Sequence, residues 1–185
     1  DHEIYPDGAL IRYREWYGSS GRPNVGLRMT AEEVGAGIRS RERGERIDFG
    51  VGDPSIWKFD GGPSIGERLS KMGVRMRRAD NSRINGWDQV RQRLIGDDGI
   101  PMLFVSSECT DTIRTLPVLT HDKHRLEDID TTQEDHAADD IRYACMARPY
   151  QRRAPEIYDD PWRQPTIDEM MAGLDYASKP QGWRL

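Results

Sequence analysis

Between positions 134 and 140 the chain reads "EDHAADD", placing Glu134, Asp135, His136, Asp139 and Asp140 directly ahead of an apolar helical stretch. Such crowding costs electrostatic energy unless positive charge sits among the side chains. Two sources of that charge are open: the dipole of the following helix with nearby arginines, or a divalent metal ion. Hard cations such as Mg²⁺ and Mn²⁺ take carboxylate oxygens, often one or two from the protein, with water and substrate phosphate completing the sphere. Plotted at about 100° per residue, Asp135 and Asp139 fall together, opposite a stripe of Ala138, Ile141 and Cys145 flanked by Ala137 and Ala144. His136 lies near the acidic face, and Asp140 points further round. The dipole accounts for Glu134 and Asp135 as helix-capping acids. It accounts poorly for Asp139, because the effect fades beyond the first turn and like charges at i and i+4 repel. Arg142 is the available compensating charge.

Asp53 is the second acid of interest. It follows "RIDFGVG", a β-branched and aromatic run that reads as a buried strand, and in open α/β sheets ligands bind beyond the carboxyl ends of strands. The plain alternative is an Asp-Pro turn opening a loop. A two-metal phosphodiester site needs acids from separate segments converging on ions about 4 Å apart. Asp53 and Asp139 supply two. For a third, Glu15 on the first strand, Asp135, and Glu32 or Glu33 on the first helix are the secondary candidates. Arg75, Arg77, Arg78 and Arg83 of "VRMRRADNSR" form a basic set suited to phosphate contacts, or equally to a charge-protected edge strand. Trp16, Trp57 and Trp87 read as packing residues.

The elements that would position these groups alternate. After the turn Pro6-Asp7-Gly8, a strand is expected from Ala9 to Tyr17. Thr30 caps a helix with Glu33 at the capping-box position and Gly44 as its stop. "GPSIGERLSKMG" predicts a helix ending at Gly73, "VRMRRAD" a strand, "NGWDQVRQRLIG" a helix and "PMLFVSS" a strand. "CTDTIRTLPVL" predicts a helix broken at Pro117, and the last long helix runs roughly from Asp135 to Arg148. The order predicts an α/β domain over residues 1–149, with one twisted sheet flanked by helices on both faces. Residues 150–185 turn rich in proline and charge, with one short helical segment at about Thr166–Leu174, and read as a tail.

Composition narrows the class. With 36% hydrophobic and 32% charged residues, the 185-residue chain fits one domain and a tail. No apolar run reaches the roughly 20 residues of a membrane span, and nothing at the start reads as a signal peptide, so a soluble intracellular protein without a membrane partner is expected. Cys109 and Cys145 lie outside any CxxC spacing, which argues against structural zinc and for buried thiols. A net charge of −5 excludes coating nucleic acid by bulk charge but not a local basic patch around an acidic centre. No GxxxxGK[ST] loop is present, so this stretch carries no recognisable ATP site.

Taken in order, "REWYG", "TAEEVGAGI", "RIDFGVGDPSIW", "GPSIGERLSKMGV", "ADNSRINGWDQVRQRL", "PMLFV" and "EDHAADDIRYACMARP" resemble the C-terminal nuclease domain of tailed-bacteriophage terminase large subunits, over residues 1–149. The resemblance implies a ribonuclease H-like fold and a two-metal-ion endodeoxyribonuclease using Mg²⁺ or Mn²⁺. Its substrate would be concatemeric double-stranded phage DNA during genome packaging. It also implies an ATPase domain in the same polypeptide, portal protein and small terminase subunit as partners, and work in the bacterial host cytoplasm at the procapsid portal. Asp53 and Asp139 match two of the family's metal-binding acids, and His136 matches the motif histidine beside the metals. The family's first two strands, the first bearing the remaining acid, have no counterpart here, and residue 1 aligns with the turn after them. Rival readings of the same residues are a non-catalytic DNA-gripping or portal-docking module, a resolvase or integrase nuclease of the same fold, and a decayed prophage copy.

Overall fold

Local signals set most of the helices. Thr30 caps helix α1 (Ala31–Glu42) through a reciprocal capping box with Glu33, and the chain leaves it through Arg43 and Gly44, both at positive φ. Ser64 and Glu67 repeat the device at helix α2 (Ile65–Lys71), which stops before Gly73. Helix α3 spans Arg83–Ile95, and helix α4 (Thr110–Thr115) tightens into a 3-10 turn, Leu116–Val118, at Pro117. Helix α5 covers His136–Ala147. The four strands have three residues each: β1 (Leu10–Arg12), β2 (Gly50–Gly52), β3 (Met76–Arg78) and β4 (Leu103–Val105). The computed structural model describes residues 5–22, 24–96 and 99–151, all within the unit Asp1–Arg152. The helical segment expected near Thr166–Leu174 lies outside them.

The α/β character is as expected, but the single sheet is not what forms. β1 pairs with β4 and β2 with β3, both in parallel, as two separate two-stranded sheets. The pairs are tied through helices: α5 packs on β2, α3 and α4, and α3 packs on β4. Strand β1 is also shorter than the predicted Ala9–Tyr17. Its ladder ends where Ser106 N–H donates to Arg12 C=O, and the chain then leaves β4 so that Glu15 can reach α4.

The core gathers Trp87 and Val90 of α3, Leu103 of β4, Ile129, and Ala138, Ile141 and Cys145 of α5, with Leu10, Leu116 and Leu119 packed against it. The apolar stripe expected on the last helix is therefore its core face. Trp16 and Trp57 pack as anticipated, each against a glycine where a Cβ would clash: Gly37 for Trp16 and Gly66 for Trp57. Cys109 and Cys145 are free and buried. Buried Arg93 stitches three segments by donating to the carbonyls of Gly8, Met102 and Arg148. Among the described residues no helix is long and apolar enough to cross a membrane.

Candidate functional site

β2 and β3 run parallel, so their carboxyl ends emerge side by side, and Ala79 N–H bonds Gly52 C=O at that edge. Asp53 stands at the end of β2 and Asp80 just beyond β3. Asp53 caps the 3-10 turn Pro54–Trp57: its Oδ1 accepts from Ser55 N–H at 2.7 Å, while Oδ2 accepts from the Tyr143 hydroxyl at 2.5 Å. The Asp-Pro turn is thus real, and it aims the aspartate at α5. Hydrogen bonds from Ser55, then from Tyr143, hold the Asp53 carboxyl below its ordinary pKa. Burial first, then the bond to Asp53, pushes the Tyr143 phenol up to about 12, so it remains a neutral donor. Asp139, one helical turn before Tyr143 on α5, adds to that upward push.

Asp139 sits in the first turn of α5 and is partly buried. Its Oδ1 accepts from Arg142 Nε at 3.0 Å and lies 3.6 Å from Arg83 Nη1. Arg142 is only 1% exposed, and its guanidinium stacks 4.6 Å from the Tyr143 ring centroid and 5.6 Å from that of Trp87. The compensating charge expected from Arg142 is present, and Arg83 adds a second. Arg83 donates from Nε to both oxygens of Asp128 at 2.9 Å, and Asp128 also accepts from Trp87 Nε1 at 2.9 Å. Arg83 is thus committed to this network. Arg75, Arg77 and Arg78 remain exposed; Arg77 lies over Phe49 and Arg78 over Trp57.

Two acids behave differently from their sequence reading. Asp135 was placed opposite the apolar stripe as a capping acid, yet it is 8% exposed, and it makes no side-chain cap at α5. Burial first, then Asp139, raises its carboxyl pKa. Glu134 does not cap the helix either. It accepts from both Nη atoms of Arg114 and from Tyr17 Oη, and the Arg114 bonds above all bring its carboxyl down to about 2. Glu15, with 4% of its side chain exposed, serves α4 from across the chain. It accepts from Asp111 N–H, from Thr112 N–H and Oγ1, and from Arg12. Burial pushes its carboxyl up, and those bonds outweigh it to leave the pKa lowered.

His136 and Asp140 face another way. With Arg12, Trp16, Tyr17 and Asn24 they line a pocket of about 430 Å³, and Asp140 pairs with Arg12. Tyr143 and Asp80 were not singled out in the sequence. Tyr143 had a signal, since it is i+4 to Asp139 on a helix; Asp80 becomes visible only once β3 is paired with β2.

Hard carboxylate oxygens suit a divalent cation such as Mg²⁺ or Mn²⁺, so the donor chemistry of Asp53 and Asp139 fits one. Among the described residues no three His, Cys, Asp or Glu side chains converge as a metal-binding group. No family model matches the chain, and neither a curated protein nor a solved structure is significantly similar to it.

Proposed function

We propose that this domain is a metal-dependent endonuclease of ribonuclease H-like type, acting on double-stranded DNA as the nuclease domain of a phage terminase large subunit does. The observation that supports the reading most is the Tyr143–Asp53 hydrogen bond, which ties the strand end bearing Asp53 to the helix that bears Asp139 one turn before Tyr143, two acids 86 positions apart in sequence. Metal-assisted phosphodiester hydrolysis needs carboxylates brought together from separate segments.

In this proposal Asp53 and Asp139 are two ligands of the Mg²⁺ or Mn²⁺ site, and a further acid comes from the strand that the resemblance expects upstream. Bound metal supplies activation of water and stabilisation of the leaving oxygen. The chain's own residues do the rest. Ser55 N–H holds one oxygen of Asp53, and exposed Arg75, Arg77 and Arg78 hold the phosphate backbone. His136 stands at the mouth of α5, on the pocket side of Asp139. The ATPase domain, portal and small subunit are the partners this role requires.

One observation favours a second reading. Arg142 and Arg83 already neutralise Asp139 without any metal, as a purely structural acid in a DNA-gripping module would need. Plasmid nicking and linearisation in Mn²⁺ separates the two, using this chain extended upstream. The nuclease reading predicts cleavage that stops with chelator and in both Asp53→Asn and Asp139→Asn. DNA binding with no cleavage by the folded protein would favour the gripping module.

A further inference from the structure

We propose that Arg142 and Tyr143, neighbours on α5, are the positioning residues that hold Asp139 and Asp53 in one fixed relation. The inference rests on the nuclease reading above and adds residues that the reading does not itself require.

Asp139, Arg142 and Tyr143 stand at i, i+3 and i+4, the spacing that puts side chains on one helical face. Arg142 cannot swing away from Asp139. Its stem crosses α3 at Gly86, where even a Cβ would lie 2.6 Å from Arg142 Cγ and 2.8 Å from Cδ. Its guanidinium is held between the rings of Tyr143 and Trp87. Tyr143 closes the arrangement by donating to Asp53 Oδ2 while Ser55 N–H takes Oδ1. An ionised carboxylate has about four acceptor sites, so these two bonds fix the Asp53 rotamer and leave lone pairs for a cation. Neither Arg142 nor Tyr143 need touch substrate. Partners that orient metal ligands in this way typically change metal affinity about 10–100-fold when removed.

The test is Mn²⁺ binding by the chain extended upstream, as in the cleavage assay, followed as loss of the free-ion signal in electron paramagnetic resonance. No DNA is present and no activity is read. Tyr143→Phe keeps the ring and its stacking with Arg142 but removes the donor. The expected result is Mn²⁺ binding weakened about tenfold with the thermal midpoint preserved, and restored by Tyr143→para-aminophenylalanine, which returns a donor to the same place. If Tyr143→Phe does not fold, Tyr143→para-methylphenylalanine replaces it under the same two outcomes. Wild-type Mn²⁺ affinity in the donor-free variant, with affinity lost in Asp53→Asn, overturns the positioning role and leaves the nuclease reading standing. Affinity unchanged in Asp53→Asn overturns both.

Discussion

Replacing Gly86 by alanine should destabilise this protein, although intrinsic helix propensity says the opposite. Gly86 lies inside α3, where Gly→Ala on an open face is worth about 1 kcal/mol of added stability. Here the new Cβ would stand 2.6 Å from Cγ, 2.8 Å from Cδ and 3.4 Å from Nη1 of Arg142. The two nearest, Cγ and Cδ, are stem atoms of a side chain that is 1% exposed, so the clash is not relieved by bending a free end aside. Either α3 and α5 separate slightly, at about 1–3 kcal/mol for overpacking, or Arg142 shifts and loses its bond to Asp139, at about 1.5–3 kcal/mol for a bond to a charged group. Set against the propensity gain, the expected outcome is a net loss of up to about 2 kcal/mol, from the difference of those ranges. Urea unfolding followed by circular dichroism reads it as a lower midpoint at unchanged slope. A midpoint equal to or above wild type would show that Arg142 is not pinned between the helices, and the positioning argument would lose its base.

Other consequences follow from the same network. Glu15→Ala should cost about 2–4 kcal/mol in urea unfolding, because it orphans the buried donors of Asp111 and Thr112 at the start of α4; a change near zero would mean water replaces Glu15 freely. Asp135 and Glu134 should respond to pH with opposite sign. The Asp135 pKa is raised on folding, so its charged form opposes folding once pH climbs past that raised value. Asp135→Asn should therefore stabilise at neutral pH, with the gain vanishing below about pH 4, the ordinary range for an aspartate. Glu134 is lowered to about 2, so its contribution is complete above its ordinary value of 4.5 and fades as pH falls toward 2. Glu134→Gln should weaken the protein at pH 6 and leave it equal to wild type near pH 2; a pH-independent deficit would point to shape rather than charge.

What could be read beforehand follows the range of the interactions. The capping box of α1, the stop of α2 at Gly73 and the Pro117 break in α4 are set within a few residues, and they form as their spacing predicts, while the second capping box, Ser64 with Glu67, went unread. The core stripe of Ala138, Ile141 and Cys145 was legible for the same reason, as was Arg142 as the partner of Asp139. Strand pairing was not. Three-residue strands carry too little pattern to name their neighbours, so two parallel pairs took the place of one sheet. The burial of Asp135 escaped a helical plot because the plot knows only its own helix, whereas Arg83 of α3 and the packed neighbours of α5 decide what that face meets. Arg83 looked like a phosphate contact beside Arg77 and Arg78, but Asp128, 45 residues on, claims it. The Tyr143–Asp53 bond spans 90 residues, and no local rule could propose it.

The central claim is that Asp53 and Asp139 share a divalent ion. Crystals of the domain, extended upstream and soaked in Mn²⁺, test it most directly through anomalous scattering. The account predicts an anomalous peak within coordination distance of an oxygen of each carboxylate, absent in Asp139→Asn crystals. Clear density for Asp53 on Tyr143 and Asp139 on Arg142, with no anomalous peak at saturating Mn²⁺, would contradict it.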